Sequence, residues 1–146
     1  MKKIKVYLDD FAFEPVRAHS TDAGLDIKSP SNFVVAPHGS ATINTGVHIS
    51  IPEGYAGFVK SKSGLNVKHD ITAEGVVDAG FSGSVVIKLH NLGDEEYHIS
   101  PKDKVAQIVI LPILTPEIEY VSKEDLEEDA ANASDRGNSG FGSTGK

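Results

Sequence analysis

GVVDAGFSG, running from Gly75 to Gly83, decides how the rest of this sequence is read. Val76 and Val77 lead into Asp78, Ala79-Gly80 leaves room for a chain reversal, and Phe81 opens a second apolar-alternating run that continues to Asn91. The pattern predicts a β-hairpin with one carboxylate at its tip. Asp and Gly are turn formers for purely local reasons, so Asp78 reads equally as a turn residue or as a general base beside an aromatic platform for a flat substrate.

Outward from the hairpin the same period of two recurs. Val85, Ile87 and Leu89 alternate with Ser84, Lys88 and His90, with Val86 as the apolar exception. From Ala41 to Ile51 every odd residue except Thr45 is apolar, the clearest strand pattern in the chain. Ile4, Val6 and Leu8 predict a half-buried strand over Lys2–Leu8, and Pro52-Glu53-Gly54 a turn into a returning strand, Tyr55–Lys60. Val105–Ile113 is nearly all apolar apart from Gln107, and Glu117–Val121 reads as a last short strand. Glu14–Ser31 reads as an irregular loop. Short strands joined by Gly, Pro and Asp turns, with no sustained helical period, predict an all-β sandwich or jelly roll.

The chain has 146 residues, which suits one β domain, expected here over 1–121. Fourteen Lys and Arg against 21 Asp and Glu leave a net charge of −7, which argues against a nonspecific grip on nucleic acid or an anionic membrane. Any phosphate must be held by placed groups. With no Cys, disulfides, thiolate catalysis and Cys-ligated zinc are excluded. The six His have no i, i+4 pairing, and no GxSxG elbow occurs. Lys5 and Asp9 interrupt MKKIKVYLDDF, so no signal peptide or membrane span is expected, and the default is a soluble, cytoplasmic protein.

Beyond Val121 the composition changes. SKEDLEEDAANASD, residues 122–135, has five acids in its first eight positions and one sizeable apolar residue, Leu126, and predicts a solvated linker with room for a turn or two of helix. The last eleven residues, RGNSGFGSTGK, combine four glycines with Arg136, Phe141, Ser143 and Thr144. A Gly/Ser-rich terminus is usually a spacer, but an aromatic is costly to leave solvated and the Arg and hydroxyls are phosphate-type donors. GFGSTGK has P-loop spacing as far as its lysine, yet no strand precedes it and no helix follows, so that reading is rejected.

Two further groups carry chemistry. Ser61-Lys62-Ser63-Gly64 offers hydroxyls, a cation and closely approachable backbone, suited to phosphate oxygens or to an exposed turn. Gln107 is a lone amide in an apolar strand, and an unpaired buried amide costs about 1–3 kcal/mol, so it either satisfies core backbone or points into a site. Asp26 and Asp78 could share a hydrated Mg2+ with substrate phosphates.

Taken in order, five of these stretches resemble the five motifs of the trimeric dUTPases: AGLDI (23–27), SKSGL (61–65), GVVDAGFSG (75–83), KDKVAQIVI (102–110) and RGNSGFGSTG (136–145). Each is weak alone; five in order make a specific signature. The resemblance implies a jelly-roll-like subunit in a homotrimer, with three sites each built from all three chains. Asp78 would activate a water for attack on the α-phosphorus of dUTP, giving dUMP and pyrophosphate, with Gln107 helping to position that water or a phosphate. Backbone around Gly75, Val76 and Val77 would read uracil, and Phe81 would pack on deoxyribose. Lys62, Ser63 and Gly64 would hold phosphate oxygens, and Mg2+ would ride on the triphosphate with Asp26 reaching it through water. Residues 136–146 would form a lid, in which Arg136 closes on the nucleotide, Phe141 stacks on uracil, and Gly142, Ser143 and Thr144 cap the γ-phosphate.

Three positions depart from the family pattern. Lys62 stands where Arg is usual, keeping charge but losing the planar fork; Phe81 replaces Tyr, losing a hydroxyl; and Ser82 replaces a basic residue. Lys62 and Ser82 also leave room for a second reading, a nucleotide-gated surface that engages a regulatory protein. A dCTP deaminase on the related fold fits worse, because the additional acid and arginine motif near the base is not seen.

Overall fold

In the computed structural model, residues 3–137, 139 and 140 are described. The chain divides into two units, Met1–Leu114 and Thr115–Lys146.

The first unit is all-β and jelly-roll-like. Its strands are β1 (Lys5–Leu8), β2 (Gly24–Lys28), β3 (Phe33–Val35), β4 (Ser40–Ser50), β5 (Tyr55–Lys60), β6 (Ile71–Val77), β7 (Ser84–Asn91), β8 (Tyr97–Ile99) and β9 (Lys104–Pro112), with one short helix, α1 (Ser63–His69). Seven strands form a curled sheet in the order β1-β4-β7-β6-β5-β9-β2, and β3 pairs with β8. Every pairing is antiparallel.

The period-two pattern builds the core. Ile43, Val47 and Ile49 of β4, Val85, Ile87 and Leu89 of β7, and Ile71 and Ala73 of β6 are all buried, while Val86 is exposed as its position in the alternation requires. Thr45, the exception in its strand, is fully buried and satisfied: its hydroxyl donates to the Val85 carbonyl at 2.6 Å and accepts from the Val47 amide at 3.2 Å. It sits in a bulge where the β4–β7 register shifts between Asn44 and His48. Gly46 there adopts φ +68°, and a Cβ would fall 2.7 Å from the Phe11 ring.

The hairpin differs from its sequence reading in a way that matters for the site. Its arms pair only at the base, Ile71 with Asn91 through Ala73 with Leu89. Beyond that, β6 switches partner and pairs with β5 from Glu74 to Val77, while β7 pairs with β4. A strand that changes partner along its length bends the sheet there, so the arms splay instead of closing into a tight ribbon. The second arm begins at Ser84, not at Phe81.

Elsewhere the sequence reading missed regular structure. β2 lies inside the segment read as a loop, because its residues are buried on both faces and show little alternation. The first strand is mostly exposed instead of half-buried. In the second unit, Glu117–Val121 is irregular and exposed, and no strand forms there. The acidic segment carries an 11-residue helix, α2 (Lys123–Ala133), with no buried residue. Its N-cap Ser122 accepts from the Asp125 amide at 3.1 Å, and Glu124 and Asp125 sit in the first turn where the helix dipole favours acids. No helix among the described residues is long and apolar enough to cross a membrane.

Candidate active site

At the splayed tip, the Phe81 amide donates to the Asp78 carbonyl at 3.2 Å, with Gly80 at φ +83°, so the reversal is a backbone-closed turn with glycine at its left-handed position. The Asp78 side chain is exposed and makes no hydrogen bond or ion pair among the described residues. A turn-forming Asp normally bonds nearby backbone; among the described residues this exposed carboxylate makes no such bond. The Phe81 ring lies over Gly83, where a Cβ would fall 2.6 Å from it, and it stays 47% exposed.

The divergence of β6 from β7 has its own consequence. In an antiparallel ladder alternate residues turn their N–H and C=O away from a given neighbour. Along Gly75–Val77, whose partners on β5 are Val59–Gly57, the groups turned from β5 face the gap that β7 has left. This edge of alternating donors and acceptors suits a flat heterocycle that carries both.

A second cluster gathers the first, second and fourth motif stretches. Asp26 lies opposite Gln107 across the β2–β9 ladder, and Gln107 lies opposite Lys60 across β5–β9. That register brings Ser61 and Lys62, just past β5, over β2. Asp26 is 4% exposed, and its two oxygens meet the ammonium groups of Lys62 at 2.5 Å and Lys104 at 2.9 Å. Burial alone would push this carboxyl up, but hydrogen bonds and charge from the two lysines outweigh it and hold the group below its ordinary 3.8. Gln107 donates to the Ser61 carbonyl at 3.0 Å and passes so close to Gly24 that a Cβ there would lie 1.9 Å from its amide oxygen. The Ser61 hydroxyl is tied to the Ala73 amide at 2.9 Å. Ser63 and Gly64 open α1, both exposed, and a Cβ on Gly64 would meet open space.

Lys104 is the member of this cluster that the sequence reading overlooked. Its signal was present: it begins an apolar strand three residues before Gln107, where a lysine needs a partner.

The two clusters stand apart within one chain. Val77 pairs with Gly57 and Glu74 with Lys60, so Asp78 continues past one end of this pairing while Lys62 leaves the other, roughly 15–20 Å away at strand rise. The Lys62 ammonium then reaches β2, two strands beyond β5 on the side away from β6. Asp26 and Asp78 therefore do not share a cation within a single chain. Among the described residues no group of three or more His, Asp or Glu could hold a metal. Beside two ammonium groups Asp26 is unsuited to direct ligation, but lone pairs left on its oxygens can accept from a metal-bound water.

Arg136 is exposed in the second unit, where its guanidinium donates to the Ser139 carbonyl at 3.0 Å. Phe141, Gly142, Ser143 and Thr144 lie outside the described residues.

A jelly-roll-like subunit with an uncommitted carboxylate beside a donor–acceptor edge, and a separate lysine cluster, has the parts of a nucleotide hydrolase. The profile of the family described as dUTPase matches residues 12–145. A deoxyuridine 5'-triphosphate nucleotidohydrolase of Clostridium acetobutylicum is 40% identical over 141 residues, 94% of this chain and 92% of that protein. The fowlpox virus protein of the same name is 37% identical and covers 99% of each chain. Among solved structures, the Staphylococcus bacteriophage 80alpha dUTPase with dUpNHpp superposes with a TM-score of 0.88 at 33% identity over 100% of both chains. A mutant dUTPase of S. aureus phage phi11, described for its coordination of a structural Mg(II) ion, has a TM-score of 0.77 at 35% identity, covering 84% of this chain and 98% of that one. The chain belongs to the dUTPase family.

Proposed function

We propose that this protein hydrolyses dUTP to dUMP and pyrophosphate, which limits uracil incorporation into DNA and supplies dUMP. The observation that carries the reading is Asp78: an exposed carboxylate with no local bond, at the mouth of two splayed strands. Uracil enters the gap and pairs with backbone of Gly75–Val77. Cytosine, with its donor and acceptor reversed at the 3 and 4 positions, leaves those backbone groups mismatched. Phe81 packs on deoxyribose and leaves no space for a 2'-hydroxyl. Asp78 accepts a proton from a water aligned for attack on the α-phosphorus; the phosphoanhydride bond breaks in line and pyrophosphate leaves.

Lys62, Ser63 and Gly64 hold phosphate oxygens, and Gln107 fixes the loop that carries them while its remaining amide capacity orients water or phosphate. The separation of Lys62 from Asp78 within one chain supports a site shared in a homotrimer, where one subunit supplies the base and another the phosphate grip. Mg2+ bound to the triphosphate would offset its charge, with Asp26 contacting it through water. In this scheme residues 1–121 form the catalytic body, 122–135 the connector and 136–146 the lid, with Arg136, Phe141, Gly142, Ser143 and Thr144 on the nucleotide.

Pyrophosphate release is expected from dUTP, with UTP, dCTP and dTTP poor; a folded oligomer inert towards dUTP would overturn the proposal. Truncation after Ser134 is expected to leave the melting temperature of the β unit unchanged and to lower turnover about tenfold or more, because an open site admits bulk water. A truncated chain as active as the full one would make the tail a spacer.

A regulatory reading has one specific support: a related structure, the 80alpha phage dUTPase, is described in terms of control of virulence-gene transfer by a G protein-like mechanism. Pull-down of a protein partner that depends on a nonhydrolysable dUTP analogue would establish it here.

A further inference from the structure

We propose that His48 is a positioning residue for the site: bridging Asp9 and the Ser82 carbonyl as an imidazolium, it holds the Phe81-Ser82 segment at the tip of the splayed arms. The inference rests on the reading of Phe81 as a nucleotide contact.

The geometry begins in the β4 bulge. The register shift between Asn44 and His48 sets His48 opposite Ser84, one residue after Gly83. From there the ring reaches back along β7: Nδ1 lies 2.8 Å from the Ser82 carbonyl oxygen and Nε2 lies 3.3 Å from Asp9 Oδ1. Both partners are acceptors only. A neutral imidazole carries a single N–H and can satisfy one of them; the imidazolium satisfies both. Asp9 is itself anchored, its amide donating to the Gly46 carbonyl at 2.9 Å inside the same bulge. The Tyr7 ring packs edge-on against the imidazole, with centroids 5.3 Å apart.

Among the described residues no other hydrogen bond ties Phe81 or Ser82 to the body. Phe81 and Ser82 precede β7 and pair with no strand, and the Phe81 amide bonds only within the turn. A hollow of about 330 Å3 lined by Tyr7, His48, Phe81 and Ser82 lies beside the strut, so the segment has room to move when it is released. The charged and titratable groups facing His48 are Asp9, Tyr7 and Lys5, all from the first strand or just after it; the segment before β7 offers the Ser82 carbonyl, and β7 itself Ser84. The Ser82 carbonyl and then Asp9 raise the ring's pKa above its ordinary 6.5, against the pull of burial. A raised folded-state value means the strut is complete below about pH 6.5 and is lost as pH climbs through the higher, folded value.

The test compares wild type, His48→Leu and His48→Gln. By NMR without nucleotide, the wild-type Phe81 and Ser82 backbone signals are expected to titrate with the same midpoint as the His48 ring, above 6.5, and not to titrate in either variant. For dUTP hydrolysis, His48→Leu is expected to raise KM about threefold to tenfold near pH 6, the worth of one hydrogen bond, with a smaller change in kcat. Wild type should converge on the His48→Leu value at high pH. His48→Gln, which keeps an uncharged donor, should recover part of the affinity without the pH dependence. Titration of the substrate phosphates is common to all three and cancels. Phe81 and Ser82 signals that ignore the His48 titration would overturn the strut. Coupled signals in a protein that does not hydrolyse dUTP would keep the strut and count against the proposed function instead.

Discussion

Asp78→Asn is expected to cut turnover by about 10²- to 10⁴-fold, the usual contribution of a positioned general base, while leaving nucleotide affinity and fold in place. The selectivity of this effect follows from the geometry. The turn is closed by the Asp78 carbonyl, not by its side chain, and the left-handed position is filled by Gly80. Asn has the same shape as Asp and keeps those backbone contacts, so a purely local turn former would tolerate the change at a cost of a few tenths of a kcal/mol. A base would not, because the amide cannot take a proton from water. The measurements are single-turnover rate, calorimetric binding of a nonhydrolysable dUTP analogue, and melting temperature. Unchanged turnover would end the assignment of Asp78 as the base.

The second large effect is expected at Asp26. Replacing it with Asn should destabilise the fold by about 1–3 kcal/mol near neutral pH, since it removes charge-assisted hydrogen bonds from a buried acceptor. The penalty stays below that for a fully buried ion pair because the lysine side chains are 27% and 41% exposed and can regain water. The carboxyl is held below 3.8 in the folded state, so its contribution is present above 3.8 and disappears as pH falls through the depressed folded value. Urea unfolding at fixed protein concentration should therefore show wild type and Asp26→Asn well separated near pH 6 and converging on strong acidification. Separation that does not shrink in acid would mean that the two lysine contacts do not set the stability of this site. Phosphate affinity should fall as well, because Lys62 loses the partner that holds its ammonium in place.

This second case shows why the chemistry at 23–27 was only half legible. AGLDI announces an acid in a small-residue setting, yet Asp26 is buried between lysines 36 and 78 residues away in sequence, and only the β5-β9-β2 register brings them together. Gln107 was legible as an amide that needed partners, but its commitment to Ser61 and its close pass over Gly24 depend on the same ladder. Conversely, the exposure of Val86 and the burial of its neighbours followed directly from alternation, because one face of β7 packs on the core.

Local pattern determined what local physics can determine: strands where period two is clean, a turn at Asp78–Phe81, an acidic segment with no face to bury, and five motifs in order. Tertiary structure alone decided where those pieces meet. β6 leaves β7 for β5 after a few paired residues, an event set by the curl of the sheet and written in no window of sequence. That divergence opens the arms around Asp78, turns backbone groups of Gly75–Val77 toward the gap, and puts the Asp78 carboxylate and the lysine cluster at opposite ends of one strand pairing. Strand partnership is a long-range choice, and it is what sets an acid at the tip of a hairpin apart from the lysine cluster on the same chain.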